Sequence, residues 1–579
     1  MMQFKFDANQ EYQLQAIEAV VNLLEGQPRI QADLRFALGA GFEAVANRLD
    51  LDDAALLNNL QAVQTANNLP VDATLQCLEA EIDTAAGAQA VHFANFSVEM
   101  ETGTGKTYIY LRTALELSRR YGLRKFIVVV PSVAVREGVL KTLQVTEKHL
   151  RALYGNLPYR YYAYDSENLS QVRQFALSDG LEIMVMTIDS FNKASNVIRQ
   201  TTDRLQGETP IHLVQATRPI LILDEPQNME SELRIKALAA LDPLFALRYS
   251  ATHRNPYNLI YRLTPFEAYR QGLVKRIEVA GVEKEADANQ VFLRLDSIKT
   301  EIKTLTARLA VHKLLKDGTV KEQVVTVKPG DELAQATGRP EYAPFVVEEI
   351  NAAEGCLRFA NSVELALGQS QGADKEAIFA AQIRYTIEEH LRKQAQLQAA
   401  GIKVLSLFFI DRVDHYARQD GLIRRLFVQA YNDLKTHHPA WQTLDVDKVQ
   451  AAYFAARRTK SGEVIYEDSK TGESEKDKEA YDLIMRDKER LLSFDEPTCF
   501  IFSHSALREG WDSPNVFQIC TLNQTASEMK KRQEIGRGVR LAVNQEGDRV
   551  RDERVNVLTV VANESYEDYV ARYQSEIEE

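Results

Sequence analysis

A glycine-rich loop that ends in a lysine and a threonine contains the residue types that bind phosphate. Loop amides and a helix start face the anion, a lysine neutralises it, and a threonine hydroxyl can reach Mg²⁺. Glycine lets the backbone close around phosphates because it has no Cβ. The full pattern G-x-x-x-x-G-K-[ST] requires glycine where Met100 stands. The residues expected to bind the phosphates are Thr102, Gly103, Thr104, Gly105, Lys106 and Thr107.

The residues on either side of this loop predict the strand and helix that must position it. The apolar run 93–100 is typical of a buried strand, and the apolar-periodic run from Lys106 to Tyr121, with Gly122 after it, predicts a helix. A glycine-rich turn beside a surface lysine is the alternative, and the strand–helix context disfavours it. The chain is therefore expected to bind a nucleoside triphosphate.

A pair of acids follows a second apolar run. Residues 220–223 are all aliphatic, which suits a strand buried on both faces, and Asp224 and Glu225 come directly after them. Open α/β sheets bind ligands at the carboxyl ends of their strands. We therefore expect Asp224 to hold Mg²⁺ and Glu225 to be the base that orients the attacking water. An acidic helix N-cap is the alternative, but the phosphate loop upstream favours catalysis.

A third group of polar residues lies in KKRQEIGRGVRLAV. Gln533, Gly536, Arg537 and Arg540 are spaced i, i+3, i+4 and i+7, which predicts one face of a helix. Two arginines there either form a solvated basic face or reach a developing phosphate charge. Taken alone, the segment favours the solvated face.

Composition and charge restrict the class of protein. A chain of 579 residues, 45% hydrophobic and 26% charged, suits two or three globular domains. Its four cysteines form no C-x-x-C pair, which argues against a disulfide framework and a zinc site. No signal core or membrane-spanning run is present, so we expect a cytoplasmic protein without a membrane partner. The net charge of −13 confines nucleic-acid binding to local basic patches.

The order of elements predicts two α/β domains separated by a β-rich insertion. Strands and helices alternate from the phosphate loop to ALRYSATHR and again from KVLSLFFID to VNVLTVVAN, which is typical of parallel sheets. Between them, β-branched runs flank Asp317-Gly318 and Glu354-Gly355 and predict hairpins. The expected domains are 1–273 (first α/β domain, with a helical insertion at about 30–90), 274–400 (β-rich insertion and connecting helix) and 401–579 (second α/β domain, with a mobile charged loop at about 447–490).

Eight motifs, taken in order, resemble those of superfamily 2 DEAD/DEAH-like helicases and translocases: YQLQAI, METGTGKT, PSVAVREG, TIDSF, DEPQ, SAT, SHSALREGWDSPNV and QEIGRGVR. Within that superfamily, DEPQ, PSVAVREGV, the SFDEPTCFIFSHSALREGWDSPNVFQI block and QEIGRGVRL resemble the Res (restriction) subunit of type III restriction-modification enzymes. The resemblance runs from about residue 10 to the end. It implies two tandem RecA-like P-loop domains, with parallel sheets flanked by helices, and ATP-driven movement on DNA with ATP and Mg²⁺ as cofactors.

The resemblance also implies nucleotide-site roles for single residues. Gln13 would read the adenine edge, with an exposed helix glutamine as the alternative. Gln227 and Gln533 would sense the γ-phosphate, and Gly510 and Asp512 would respond to the bound nucleotide. The residues with implied catalytic roles are Lys106, Asp224, Glu225, Gln227, Gln533, Arg537 and Arg540.

Further motif residues would connect hydrolysis to DNA. Ser250 and Thr252 of SAT would link the nucleotide site to the DNA face, and an ordinary strand-end turn is the alternative. Hydroxyls and single arginines at strand ends suit contacts with the DNA backbone rather than base readout. The implied DNA-binding residues are Ser132, Arg136, Thr187, Phe191 and Arg508.

Two features of type III enzymes are not found in this sequence. Res subunits have a C-terminal nuclease domain, whereas this chain ends in YEDYVARYQSEIEE shortly after its last predicted strand, so we expect a motor portion without endonuclease activity. It also contains no glycine-rich methyl-donor motif, so methylation and target recognition would lie in a separate Mod methyltransferase partner. A general DNA or RNA helicase outside restriction and a hydrolytically silent, nucleotide-gated binding module are the alternative functions.

Overall fold

The structure is a computed structural model in which part of the chain is described. It covers residues 5–30, 34–38, 42–84, 87–193, 195–201, 209–281, 291–300, 305–315, 320–352, 354–368, 370–371, 375–454, 456–458, 464–466, 479–504, 511, 513–523 and 528–562. Of the charged loop predicted at 447–490, residues 455, 459–463 and 467–478 lie outside this part.

The elements are numbered in chain order. The strands are β1 (Leu34–Leu38), β2 (Phe42–Ala46), β3 (Cys77–Thr84), β4 (Gly87–Met100), β5 (Lys125–Val130), β6 (Tyr159–Ala163), β7 (Leu181–Thr187), β8 (Ile220–Asp224), β9 (Ala246–Ser250), β10 (Leu259–Leu263), β11 (Arg276–Gly281), β12 (Leu293–Thr300), β13 (Leu305–Leu314), β14 (Val320–Val327), β15 (Val347–Asn351), β16 (Cys356–Phe359), β17 (Glu364–Ala366), β18 (Ser370–Gln371), β19 (Leu405–Phe409), β20 (Gln450–Tyr453), β21 (Ala456–Arg458), β22 (Val464–Tyr466), β23 (Phe500–Ser503), β24 (Val516–Thr521) and β25 (Val557–Ala562). The helices are α1 (Glu11–Asn22), α2 (Asp53–Ala66), α3 (Lys106–Tyr121), α4 (Val133–Leu153), α5 (Ser170–Leu177), α6 (Pro210–Gln215), α7 (Glu232–Ala239), α8 (Pro265–Arg270), α9 (Leu333–Thr337), α10 (Lys375–Leu397), α11 (Asp414–Ala417), α12 (Leu422–Leu434), α13 (Val446–Val449), α14 (Lys488–Leu491) and α15 (Glu528–Gly536).

The first sheet is eight-stranded and mostly parallel, as predicted. Its order is β10-β4-β9-β8-β5-β7-β6, with β3 antiparallel to β4. The aliphatic strands β5, β7 and β8 are buried along their whole length, as strands covered by helices on both faces must be. β4 and β8 both pair with β9 in parallel, so all three strands end at the same edge of the sheet. The loop after β4 and the acids after β8 therefore lie at that edge together.

The segment 30–90 is not the helical insertion that its alanine and leucine content predicts. Among its described residues, helix is confined to α2, while β1 pairs with β2 and β3 pairs with the first half of β4. In β3, Leu78 and Ile82 are buried and Glu79 and Glu81 are exposed, an alternation of period two. Antiparallel pairing between strands that are neighbours in the sequence decided the structure here, rather than intrinsic helix propensity.

The second sheet consists of six parallel strands in the order β11-β25-β24-β19-β23-β20. The predicted strands around 405–409, 500–503, 516–521 and 557–562 all lie in it. β11 lies beside β25 in this sheet, although the sequence placed residues 276–281 in the β-rich insertion. The error arose because a short β-branched run does not reveal which sheet it will join.

The β-rich insertion has antiparallel pairing and an apolar core of its own. β13 pairs with β14 on either side of the predicted turn at Asp317-Gly318, itself outside the described residues, and β15 pairs with β16 around Glu354-Gly355. The long helix α10 follows, and Gly401 beyond it adopts the left-handed conformation of a helix end, with φ of 68°. α10 packs on α12 and β24 and so belongs with the second sheet. Within the described ranges, no helix is both long and apolar enough to span a bilayer.

Candidate nucleotide site between the two sheets

The phosphate loop joins β4 to α3 and depends on its glycines as expected. Gly103 and Gly105 have φ values of 84° and 94°, in a region that residues with a Cβ rarely adopt. Lys106 begins α3, and its ammonium donates to the carbonyl of Met100 at 3.3 Å. The Met100 side chain is buried at the end of β4. Methionine at the first pattern position is therefore accommodated, because its backbone and not its side chain contacts the lysine.

The acidic pair lies at the end of β8, opposite Lys106. The Lys106 ammonium is 3.7 Å from Glu225 Oε1, and buried Asp224 accepts a hydrogen bond from the Tyr110 hydroxyl at 3.2 Å. Burial and the adjacent Glu225 carboxylate raise the pKa of Asp224. Burial alone would raise the pKa of Glu225 too, but the Lys106 charge and a hydrogen bond from Gln227 bring it below its ordinary value. Adjacent carboxylates held this close are suited to a hard divalent cation.

Glu225 is part of a network that includes the SAT segment. Its φ of 56° is uncommon for a residue with a side chain, and such strain is typical of functional sites. Gln227 donates to Glu225 Oε2 at 2.7 Å, and the Ser250 hydroxyl lies 3.2 Å from the same oxygen and 2.9 Å from Gln227 Oε1. The Thr252 amide donates to Ser250 Oγ at 3.0 Å. SAT is thus more than a strand-end turn, because it contacts the carboxylate predicted to be the base.

Gln13 lies on α1 against the phosphate loop. It is only 3% exposed, so the alternative of an exposed helix glutamine is wrong. Its amide nitrogen donates to the Tyr12 hydroxyl at 3.0 Å, and that hydroxyl donates to the Thr104 carbonyl at 2.8 Å. Gln13 Oε1 is buried without a partner among the described residues. A buried acceptor beside a phosphate loop could receive the amino group of adenine.

The arginines of the second sheet follow a helix instead of sharing one of its faces. α15 ends at Gly536, so Arg537 and Arg540 lie in the turn after it, and the predicted helical face is wrong. Glycines at 536 and 538 disfavour continuation of the helix. A Cβ at Gly538 would stand 2.5 Å from a methyl carbon of Leu558. The backbone of this turn therefore lies closer to the sheet than a residue with a side chain would allow.

The turn after α15 packs directly on the phosphate loop. A Cβ at Gly103 would stand 3.0 Å from Arg540 Cγ, and one at Gly536 would stand 2.8 Å from Thr102 Cγ2. Arg537 donates to the Trp511 carbonyl at 2.7 Å. The two sheets therefore enclose one cleft. Its polar lining comes from Thr102, Lys106, Thr107, Thr142, Asp224, Glu225 and Thr252 on one side and from Arg532, Gln533, Arg537 and Arg540 on the other.

Two predicted DNA contacts lie after β5, at the start of α4. Ser132 is the N-cap of α4, and its hydroxyl accepts a hydrogen bond from the Val135 amide at 3.4 Å. Arg136 is one turn further on, with its guanidinium 3.2 Å from a Glu137 carboxylate oxygen and its side chain 25% exposed. Val135 and Gly138 of the same helix line the cleft, and contact of Ser132 and Arg136 with DNA stays a prediction.

The two predicted contacts in TIDSF are less accessible. Thr187 ends β7, is buried, and has its hydroxyl 2.7 Å from Ser190 Oγ. Phe191 is wholly buried in the core, so the predicted DNA contact of its side chain is wrong. Burying the phenyl ring removes a large apolar area from water, and the resulting gain in stability favours a place in the core over an exposed place at the strand end. Three further predicted residues, Arg508, Gly510 and Asp512, lie outside the described residues.

Sequence reasoning missed residues that support the site. Tyr12 and Tyr110 contact the loop and Asp224, and only their positions beside motif residues could have indicated this. Arg532 donates to Glu101 at 3.0 Å, which joins the second sheet to the phosphate loop. Glu101 occupies an unspecified position of the loop pattern, so the pattern carried no signal for it.

Comparisons with known proteins support the same family that the motifs resemble. Residues 8–255 match the family described as "Type III restriction enzyme, res subunit". The chain is 27% identical to the EcoP15I Res subunit of Escherichia coli, over 95% of this chain and 56% of that protein. It is 29% identical to the StyLTI Res subunit of Salmonella typhimurium, over 79% of this chain and 51% of that protein.

The chain spans about half the length of these curated relatives. Among solved structures, the Mycobacterium smegmatis helicase Lhr bound to ssDNA and AMP-PNP aligns with a TM-score of 0.40 and 13% identity, over 83% of this chain and 46% of that one. The resemblance predicted from the motifs is confirmed by the sequence comparisons, in which the chain is similar to the Res subunits of type III restriction-modification enzymes.

Proposed function

We propose that this chain is an ATP-dependent DNA translocase, the motor portion of a type III restriction enzyme. One observation carries the proposal: Lys106 and Glu225 from the first sheet face Arg537 and Arg540 from the second across a single cleft. If those arginines formed a solvated basic face, they would point into water and lie away from the phosphate loop. A silent binding module would have no use for a base and two arginines around one anion site.

The residues of the cleft have complementary tasks in phosphoryl transfer. The loop amides and Lys106 would bind the β- and γ-phosphates, and Glu225 would accept the proton of the attacking water. Arg537 and Arg540 would stabilise the charge that develops on the transferred phosphoryl group. Because the arginines come from the second sheet, hydrolysis requires the two sheets to be closed on the nucleotide.

Asp224 and Thr107 are the residues that would hold Mg²⁺. Both line the cleft, and the pKa of Asp224 is raised by burial and by the neighbouring Glu225 carboxylate. A cation beside Asp224 would offset that unfavourable crowding of negative charge. The ion would supply charge that neutralises the phosphates.

The contacts of Glu225 offer a route by which hydrolysis could act on DNA. Ser250 and Gln227 hold its carboxylate, and Ser250 continues into the segment that leaves the cleft at Thr252. Ser132 and Arg136 at the start of α4 remain the proposed backbone contacts within the described part of the chain. Such contacts would carry no base preference and would weaken as salt rises. Target recognition and methylation would come from a separate Mod subunit.

Steady-state ATP hydrolysis by the purified chain tests the proposal. It is measured with Mg²⁺ alone, with duplex DNA and with single-stranded RNA, and Lys106→Ala serves as the control for contaminating activity. We expect duplex DNA to stimulate hydrolysis and the chain to displace a third strand from triplex DNA in an ATP-dependent manner. Triplex displacement reports movement along the duplex without requiring strand separation.

The alternatives give different results in the same experiment. Stimulation by RNA alone would indicate an RNA helicase, and robust strand separation without a partner would indicate a general helicase. ATP binding without turnover under any condition would support the silent module. Sequence-specific action that appears only on adding a Mod subunit would support the assignment to restriction.

A further inference from the structure

Lys275 is a buried lysine in the segment through which the chain passes from the first sheet to the second. It lies between α8 and β11, and its side chain is wholly excluded from solvent. Its ammonium donates to the carbonyls of Pro514 at 2.6 Å and Gly538 at 3.0 Å, and also to that of Arg540. Its amide donates to the Val539 carbonyl at 2.7 Å. Each ammonium hydrogen therefore has a backbone acceptor, and two of these acceptors belong to the turn after α15.

That turn needs donors from outside itself. The carbonyls of Gly538 and Arg540 lie beyond the end of α15, so no amide of the helix is available to them. A buried carbonyl without a partner is destabilising, and an ammonium group offers three donors at once. The Phe517 ring lies 4.8 Å from the Lys275 nitrogen and partly offsets the cost of burying the charge.

The third acceptor of Lys275, the Pro514 carbonyl, lies close in sequence to a residue that Arg537 contacts. Pro514 follows Trp511 by three residues, and the Trp511 carbonyl accepts the hydrogen bond from Arg537. Lys275 thus holds together the connector, the turn after α15 and the segment against which Arg537 rests. A displacement of the connector when the sheets open or close would move the arginines with it.

We propose that Lys275 is a positioning residue for ATP hydrolysis: from the connector between the sheets, it fixes the turn that presents Arg537 and Arg540 to the cleft. This inference rests on the proposed function. It adds to that function a residue that touches no nucleotide and acts only through the backbone of the arginine turn. Arginines that stabilise the charge on a transferred phosphoryl group accelerate hydrolysis only when they are held at the right position relative to that group.

The chain contains a matched control in Lys403. This lysine is also buried, two residues before β19 of the second sheet, and its ammonium donates to the carbonyls of Leu491 at 2.7 Å and Glu496. Its acceptors do not line the cleft. Lys403→Met therefore removes a buried ammonium from backbone carbonyls without touching the arginine turn.

Lys275→Met and Lys403→Met are compared in the full chain by three measurements: DNA-stimulated ATPase, affinity for a non-hydrolysable ATP analogue, and hydrogen exchange of backbone amides. For Lys275→Met we expect kcat to fall ~10- to 100-fold while analogue affinity changes by less than ~3-fold. Amides in 537–543 should exchange faster. Lys403→Met should lower Tm, speed exchange near 491–498 and leave kcat within ~2-fold.

Equal losses of kcat in the two variants would reduce the effect to general destabilisation and overturn the proposal. An unchanged kcat in Lys275→Met, or unchanged exchange in 537–543, would also overturn it. If the unmutated chain shows no ATPase, the proposed function fails, and the exchange data alone decide whether Lys275 holds the turn. Where Lys275→Met does not fold, Lys275→Gln, which keeps two N–H donors, is measured in the same way.

Discussion

Arg532 donates a hydrogen bond to Glu101 at 3.0 Å and so joins the second sheet directly to the phosphate loop. The Glu101 side chain is 2% exposed and that of Arg532 is 21% exposed, so water screens the pair weakly. Glu101 also accepts from the Thr102 amide at 2.7 Å. The ion pair thus holds the loop and the arginine-bearing side of the cleft together without any contribution from a nucleotide.

Breaking this pair should weaken nucleotide binding. Without the pair, the two sides of the cleft would no longer be held together before the nucleotide binds. We therefore expect Glu101→Gln and Arg532→Gln each to lower the affinity for an ATP analogue, with a coupling energy of ~1–3 kcal/mol in the double-mutant cycle. Fluorescent-analogue titration of the four proteins measures it. The exposed cross-sheet pair Lys5–Asp548 is the control, with an expected coupling below ~0.5 kcal/mol. Equal coupling in the two cycles would contradict a special role for Glu101–Arg532.

Substitutions of the lysine and the base should separate binding from turnover. Lys106→Ala removes the charge that faces the phosphates and Glu225, and we expect it to abolish ATPase, a loss of at least ~100-fold. Glu225→Gln should bind ATP yet not turn it over, because the amide cannot accept the proton of water. Rapid-quench single turnover measures both. Exposed Glu232→Gln is the control, and turnover by Glu225→Gln near the unmutated rate would exclude Glu225 as the base.

Ser250 should affect hydrolysis more than Thr252 does. Ser250→Ala removes the hydroxyl that contacts both Glu225 and Gln227, so we expect kcat to fall ~10-fold with little change in ATP affinity. Thr252 contributes its backbone amide to this network, and Thr252→Val keeps that bond. ATPase with and without duplex DNA distinguishes the two variants. A larger loss for Thr252→Val would mean that the threonine side chain, not the Ser250 network, is the important contact.

The sequence predicted the phosphate loop and its strands because the signals for them are local. Gly103 and Gly105 stand where the backbone must turn left-handed, and aliphatic runs mark β5 and β8. Gly122 ends α3 with φ of 76°, as its position after an apolar-periodic run predicted. In each case the residue that determines the structure lies within the element that it determines.

The parts that the sequence did not predict depend on distant partners. The run at 276–281 is compatible with either sheet until β25 is in place beside it. Arg537 and Arg540 have helical spacing, yet Gly538 packs against Leu558 and the helix ends before them. Lys275 has no local signal at all, because its three acceptors lie about 240 to 265 residues further along the chain.

A buried histidine on the helix that packs against the second sheet gives the protein a defined response to acid. His390 on α10 is wholly buried, with Nδ1 2.8 Å from Ser406 Oγ. The Ser406 hydroxyl donates to Gln518 Oε1 at 2.7 Å, so Nδ1 is the protonated nitrogen that donates to Ser406. Burial, and to a lesser degree the charge of Lys403, lower the pKa of His390 to about 3. The folded chain therefore keeps this imidazole neutral at mildly acidic pH.

The second sheet should lose stability as pH falls below ~6.5, because the unfolded chain then binds a proton at residue 390 that the folded chain excludes. The loss should continue towards pH 3 and reach ~2 kcal/mol at pH 5. Urea unfolding at pH 7.5 and pH 5.0, followed by tryptophan fluorescence, measures it, since Trp441 lies 5.5 Å from the His390 ring. In His390→Gln the drop between the two pH values should shrink by that amount, whereas exposed His437→Gln should leave it unchanged. An equal pH dependence in His390→Gln and the unmutated chain would show that other groups carry the acid sensitivity.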